Sequence, residues 1–166
     1  MSPKIFAERS EMEDAKDYPT RDTSLVGAAG VHAVVAELSL RGLIALPTIR
    51  NTAGVDVIVS NRTGTWHANL QVKTSTSRVT FWPIGAKYAE WVSPNNYYVF
   101  LRFHPKVKQF EIFLESSERV AKNCADGVTR EKDKGLKKWA PCFYPRDGLD
   151  QLKSQWDAFG RETASQ

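Results

Sequence analysis

The sequence has no run of 18 apolar residues, and only two of its 166 residues are cysteines. A membrane-spanning helix needs about 20 mainly apolar residues, and the N-terminal stretch lacks the apolar centre of a signal peptide. Cys124 and Cys142 have no CxxC partner, so neither a zinc site nor a disulfide framework is indicated. These absences predict a cytoplasmic protein with free thiols and no membrane contact.

Basic residues only slightly outnumber acidic ones, which gives a formal net charge of +4 and a pI near 9.1. This balance permits an anionic partner such as nucleic acid without requiring one. The length and the 42% hydrophobic content suit one core. We expect one domain over residues 23–166, preceded by a poorly ordered arm at residues 1–22, which holds six acidic and four basic residues.

The apolar spacing predicts an order of helices and strands along this domain. The predicted elements are a helix from Thr23 or Ser24 to Gly42, a short strand near Pro47, a hairpin over residues 55–74, one or two helical turns within residues 85–91, strands at 97–103 and 110–114, a short helix from Ser116 or Ser117, a flexible basic loop over 119–138 and a closing helix over 148–160. This order favours an α/β or α+β sandwich with a central mixed β-sheet flanked by helices.

The hairpin "GVDVIVSNRTGTWHANLQVKT" carries two charges, Asp56 and Lys73, in otherwise apolar strands. A buried charge is costly unless it is paired or coordinated, so both residues need a partner. A turn at Asn61 places Asp56 opposite Asn69 or Leu70, and a bulge or a small change in the turn brings Gln71 alongside it. Because side chains alternate along a strand, Gln71 and Lys73 share one face.

Asp56, Gln71 and the main-chain carbonyl of Val72 are oxygen donors of the kind that Mg²⁺ prefers. Lys73 beside such a metal would hold the attacking water and help to deprotonate it. The alternative is a structural ion pair between Asp56 and Lys73 that fixes the register of the strands and has no catalytic role.

A helix followed by "GVD" on one strand and "QVK" on the next resembles the PD-(D/E)xK nuclease superfamily, in its Asp…QxK variant. This variant is familiar from the branch containing modification-dependent type IV restriction enzymes. The sequence resembles small, mostly uncharacterised bacterial proteins of this superfamily over roughly residues 26–120 and the terminal tryptophan helix. It implies a restriction-endonuclease-like αβββαβ core, with Asp56 and Gln71 as ligands of Mg²⁺ or Mn²⁺ and Lys73 as the catalytic lysine.

One position departs from the pattern of the superfamily. Its members usually carry a glutamate on the first helix, where counting back from Gly42 reaches Val31. Glu37 is the one acid on this helix, and at 100° per residue it faces away from that position. The resemblance therefore implies a site that lacks its third ligand.

The predicted function is Mg²⁺-dependent hydrolysis of nucleic-acid phosphodiesters, with DNA as the favoured substrate and a homodimer allowed. Three basic side chains, those of Lys87, Arg102 and Lys106, are candidates for phosphate contacts beside the metal. The alternative is a catalytically reduced module on the same fold that binds nucleic acid or a protein partner, since fold alone does not decide function.

Overall fold

The structure is a computed structural model and describes residues 22–49, 54–75, 81–104, 107–133, 140–145 and 148–160. All but the last residue of the predicted N-terminal arm lies outside these ranges, so the domain boundary at residue 22 stays a prediction. The elements, in chain order, are α1 (Thr23–Leu40), β1 (Ile44–Pro47), β2 (Val57–Ser60), β3 (His67–Ser75), β4 (Trp82–Pro83), a 3₁₀ turn (Tyr88–Trp91), β5 (Asn96–His104), β6 (Gln109–Ser116), α2 (Ser117–Asp133), β7 (Cys142–Phe143) and α3 (Leu149–Ala158).

Five strands form a mixed central sheet in the order β1-β2-β3-β5-β6. The pair β3 and β5 is parallel, and the other neighbouring pairs are antiparallel. A parallel pair needs a crossover connection, which here contains β4 and the 3₁₀ turn. The short strands β4 and β7, which were not predicted, pair with each other in a second sheet. The predicted α/β class, with a mixed sheet flanked by helices and a closing helix, is confirmed.

Helix α1 covers one face of the sheet. Asp22 caps its N-terminus, because the Asp22 carboxylate accepts hydrogen bonds from the main-chain N–H groups of Ser24 at 2.8 Å and Leu25 at 3.4 Å. The predicted caps, Thr23 and Ser24, are instead the first helical residues. The predicted stop at Gly42 is confirmed, since its φ of +83° lies in the left-handed region that favours glycine.

Each face of the sheet has its own core. Helix α1 and the end of α3 pack with Val59, Leu70 and Val99 on the first face. Tyr98 and Phe100 point to the opposite face and pack with residues of α2, β4 and β7. Helix α3 contributes to both cores and packs on the edge strand β6, so that edge is covered rather than exposed.

Two of the expected details differ in the structure. The basic stretch predicted as a loop from residue 119 is helical as far as Asp133, because Val120, Cys124 and Gly127 recur at helical spacing and are buried. The hairpin register also differs from that of the simple turn and follows the alternative with a small change in the turn, since Val57 pairs with Leu70 and the same register places Gln71 alongside Asp56. The polar loop is longer than the expected turn, as Asn61 also bonds to Trp66 across it, with an N···O distance of 3.1 Å.

Length and composition alone would allow one of the described helices, α1, to cross a membrane. A core helix or an N-terminal signal sequence can meet the same criterion, so a single such helix is weak evidence. In this fold Gly30, Val34 and Leu38 of α1 are buried against the sheet, and no membrane protein is indicated.

Close contact between α1 and β3 depends on Gly30. A Cβ atom at this position would lie 1.8 Å from the Thr74 hydroxyl oxygen and 3.0 Å from the Thr74 Cβ. These distances leave no room for a methyl group, so any side chain at residue 30 must push the helix away from the strand.

We expect Gly30→Ala to lower the free energy of unfolding by about 1–3 kcal/mol, the usual cost of overpacking a core. Gly27→Ala is the matched control, because a Cβ there meets no atom within 4 Å. Alanine has the better helix propensity, so this control should gain about 0.5–1 kcal/mol. Urea unfolding measures both variants, and equal effects of the two would contradict the packing role of Gly30.

Candidate active site

Asp56 lies just before β2, and its carboxylate binds the neighbouring strand. The main-chain N–H of Val72 donates a hydrogen bond to Asp56 Oδ2 at 2.7 Å. The main-chain N–H of Asp56 in turn donates to the carbonyl of Leu70 at 2.8 Å. Asp56 is therefore held against β3 by its side chain and its backbone, and within the described ranges no residue donates a hydrogen bond to its second carboxylate oxygen, Oδ1.

The main-chain carbonyl of Val72 is directed toward the same edge. In a β-strand the N–H and C=O of one residue point to the same side, and the N–H of Val72 points to Asp56. The ladder between β2 and β3 ends at the pair Val57 and Leu70, so β2 supplies no ladder partner for Val72. The Asp56 carboxylate and the main chain of Val72 are therefore neighbours at this edge of the sheet, and their role as metal ligands stays a prediction.

The side chains of Gln71 and Lys73 leave β3 on the face opposite α1. Their partners on β5 are Tyr98 and Phe100, which belong to the second core. Both Gln71 and Lys73 are half-buried. Neither of their side chains makes a hydrogen bond to any residue in the described ranges.

Asp56 and Lys73 are coupled electrostatically. Burial lowers the pKa of the Lys73 ammonium, while the negative charge of Asp56 raises it, and the net effect is a pKa below the ordinary 10.5. A lysine with a lowered pKa has a larger neutral fraction at a given pH. The pair therefore combines an anion with a cation that can give up its proton more easily than an exposed lysine does.

The turn before Asp56 is fixed by Gly54 and Trp91. Gly54 has a φ of +75°, and a Cβ there would lie 2.9 Å from the Trp91 indole. Trp91 packs edge-on against Tyr98, with 4.9 Å between the ring centroids. The side-chain amide of Asn96 donates to the Trp91 carbonyl at 2.8 Å. Trp91 itself gave no signal in the sequence, because its contact with Gly54 joins distant parts of the chain.

Thr48 binds the same segment from the β1 side. Its main-chain N–H donates to the Asp56 carbonyl at 3.0 Å, and its hydroxyl donates to the Val55 carbonyl. The sequence did not single out Thr48, because a threonine after a short strand does not by itself predict which groups its side chain will bind. Asp56 is thus held from both neighbouring strands.

The three basic candidates for phosphate contacts are placed differently. Lys87 is exposed, with its Nζ 4.0 Å from Glu90 Oε2. Arg102 is buried, its guanidinium lying over the Phe113 ring at 5.5 Å and its Nε 3.8 Å from Glu111 Oε2. The expectation of a surface contact by Arg102 is therefore wrong in this fold, because core packing takes up its side chain. Lys106 lies outside the described residues.

The first helix supplies no carboxylate beside Asp56 within the described chain. Val31 is half-buried and packs against the first core. Glu37 is exposed, with its Oε2 3.8 Å from Arg41, and it lines a groove next to Lys153 and β6. This placement agrees with the expectation that Glu37 faces away from the position that would serve a metal.

A divalent cation fits this donor set through few protein ligands. Across the described residues, no three or more His, Cys, Asp and Glu side chains converge. The donors available here are Asp56 Oδ1, the Gln71 amide oxygen and the Val72 carbonyl, all hard oxygen atoms. Mg²⁺ commonly binds through one or two carboxylates and keeps several waters. The residues therefore fit a hydrated and weakly held Mg²⁺ or Mn²⁺.

Comparison with known proteins gives one structural likeness. No family model matches the chain, and no curated protein matches it. Among solved structures it is similar to a bacterial homing endonuclease, I-Ssp6803I, with 14% sequence identity and a TM-score of 0.38. The match covers 57% of this chain and 66% of that chain. A likeness at this TM-score does not establish a shared family.

The lowered pKa of Lys73 has a consequence for stability. Between the folded-state pKa and 10.5 the unfolded chain binds more protons than the folded chain, so stability rises with pH across that window. We expect Lys73→Met to raise the free energy of unfolding at pH 7, on the order of 1 kcal/mol. This gain should shrink as the pH rises toward 10.5, where more than half of the wild-type lysine is neutral in the folded protein because its pKa lies below that value.

Urea unfolding at pH 7 and near pH 10 measures this difference. Lys87→Met is the matched control, because it removes a lysine charge from an exposed position. A Lys73→Met protein that is less stable than wild type at pH 7 would contradict the burial cost assigned to Lys73.

Proposed function

We propose that this chain is a metal-dependent nuclease-like hydrolase that cleaves phosphodiester bonds in DNA, and that it belongs to the PD-(D/E)xK type in its Asp…QxK variant. The observation that carries the proposal is the arrangement at the edge of β2 and β3. Asp56 Oδ2 is tied to the Val72 N–H, so its Oδ1 can face the same space as the Val72 carbonyl. Lys73, which interacts electrostatically with Asp56, is the third residue of this arrangement.

Each residue has a role in this proposal. Asp56 and Gln71, with the Val72 carbonyl, hold Mg²⁺ or Mn²⁺. The metal, when bound, polarises the scissile phosphate and lowers the pKa of a coordinated water. Lys73 binds the attacking water and stabilises the charge that develops on the phosphate oxygens. Its neutral fraction, enlarged by burial, can accept the proton that the water releases.

The reaction is hydrolysis at phosphorus. The oxygen of the attacking water forms a bond to phosphorus, and the bond from phosphorus to the leaving sugar oxygen breaks. One proton passes from the water to Lys73 Nζ, and the leaving oxygen takes a proton from solvent. No redox partner is needed, so the metal, water and these three side chains suffice.

A second candidate function is a catalytically reduced module that binds nucleic acid or a protein partner. The observation in its favour is the packing of Val31 in the first core, where the superfamily usually has a glutamate. With Asp56 as the one carboxylate, the metal would be held weakly. A homodimer and a cytoplasmic location also remain predictions.

Cleavage of plasmid and single-stranded DNA with Mg²⁺ or Mn²⁺ tests the main proposal. We expect Lys73→Met to slow cleavage by about 10²- to 10⁴-fold, the usual contribution of a positioned base. Asp56→Asn removes the charged ligand of the metal and should slow cleavage at least as much. Glu37→Gln is the matched control, since it removes a carboxylate that lies in the groove beside β6, and it should cleave at the wild-type rate.

The outcomes separate the two functions. Equal cleavage by all four proteins would indicate a contaminating nuclease and would overturn the proposal. DNA binding that weakens with salt, without cleavage by the wild type, would favour the reduced module. Absence of both cleavage and binding would favour a protein partner.

The amide at residue 71 gives a separate prediction. Gln71→Glu adds a second carboxylate to the donor set, and ligand charge is a main determinant of affinity for hard cations. We expect Gln71→Glu to lower the Kd for Mn²⁺, measured by calorimetry, by about tenfold, because the ligands then carry one more negative charge. Gln109→Glu makes the same change at an exposed position on β6 and should leave the Kd unchanged. A Kd that is unaffected by Gln71→Glu would remove Gln71 from the ligand set.

A further inference from the structure

We propose that Thr48 is a positioning residue that holds the Asp56 carboxylate in place for the metal. This inference rests on the proposed function of the Asp56 site. The main-chain N–H and the side-chain hydroxyl of Thr48 both bind the segment that carries the carboxylate. Its N–H donates to the Asp56 carbonyl at 3.0 Å, and its hydroxyl donates to the Val55 carbonyl.

The position of Thr48 in the sheet explains why these bonds matter. The regular pairing of β1 with β2 ends at Pro47 and Val57, one residue short of Asp56. Thr48 is the next residue of the chain, and its two hydrogen bonds extend the contact to Val55 and Asp56. Without the hydroxyl, the Val55 carbonyl would lose the partner that it has among the described residues, and the link from β1 to this segment would be weaker.

Asp56 is consequently bonded from both sides. Thr48 holds its carbonyl from the β1 side, while Leu70 and Val72 hold its N–H and its carboxylate from the β3 side. The segment before Asp56 is bounded by Gly54, which leaves no room for a side chain against Trp91. Release of the Thr48 bonds would let this short segment move relative to β3.

Thr48 acts on the site through the backbone and not by direct contact. None of its hydrogen bonds involves the Asp56 carboxylate. A shift of residues 55–56 would change the distance between Asp56 Oδ1 and the Val72 carbonyl. A site with few protein ligands depends on that distance, and groups that orient metal ligands commonly account for a 10- to 100-fold factor in affinity.

The test compares three substitutions in the full chain. Thr48→Val removes the hydroxyl and keeps the shape and the N–H, whereas Thr48→Ser keeps the hydroxyl. Ser60→Ala is the matched control. The Ser60 hydroxyl also donates to main-chain carbonyls, those of Asn61 at 2.9 Å and Trp66 at 3.0 Å, but at the opposite end of the same hairpin. Thr48→Ala, which also lacks the hydroxyl, replaces Thr48→Val if the valine variant does not fold.

Two measurements report on the position of Asp56. The first is the Kd for Mn²⁺ by water-proton relaxation. The second is hydrogen exchange at the Val72 amide, whose hydrogen is bound by the Asp56 carboxylate. We expect Thr48→Val to raise the Kd by about 10- to 100-fold and to speed exchange at Val72. Thr48→Ser should restore both values, and Ser60→Ala should change neither, although it too loses a hydrogen bond.

Unchanged exchange at Val72 in Thr48→Val would overturn the positioning role, as would an equal change in Ser60→Ala. Failure of the proposed function is a different result. A wild type that cleaves no DNA refutes the nuclease, while the exchange rate at Val72 still decides whether Thr48 positions Asp56. Mn²⁺ binding that survives Asp56→Asn would overturn the link between Thr48 and the metal.

Discussion

The hydrogen bond from the Val72 N–H to the Asp56 carboxylate is the interaction on which the candidate site depends. It forms where the ladder between β2 and β3 stops, so a side-chain carboxylate takes the place that a main-chain carbonyl has in the rest of the sheet. A charged acceptor makes this bond stronger than a neutral one. In the proposed site, the second Asp56 oxygen and the Val72 carbonyl would be ligands of the same cation. Thr48, Gly54 and Trp91 then keep the segment in register.

The partly buried charge of Lys73 lowers the stability of the folded protein, and packing elsewhere in the fold must offset this loss. Lys73 lies half-buried beside the second core, and burial lowers its pKa because the ammonium is poorly solvated there. Charged groups whose pKa is shifted by burial occur both at functional sites and in structural ion pairs. The close packing of α1 on β3, through Gly30 and Thr74, supports the strand that carries Lys73.

Much of this arrangement could be predicted from the sequence. The order of elements follows from hydrophobic periodicity, and the alternation of side chains along β3 separates Gln71 and Lys73 from Val72. The register could not be predicted, because it depends on a loop whose Asn61 to Trp66 bonds extend it past the expected turn. Arg102 looked like a surface cation, yet tertiary packing places it over Phe113. Residues that position Asp56 were also missed, since their hydrogen bonds and contacts join segments that the sequence keeps apart.

The central claim is that Asp56, Gln71 and the Val72 carbonyl hold one divalent cation. A crystal structure of the chain grown with Mn²⁺, with anomalous diffraction recorded near the manganese absorption edge, tests this claim most directly. The account predicts one anomalous peak about 2.0–2.2 Å from Asp56 Oδ1 and the Val72 carbonyl, distances usual for small hard cations bound by oxygen. An anomalous peak elsewhere, such as beside Glu111, with none at Asp56, would contradict it.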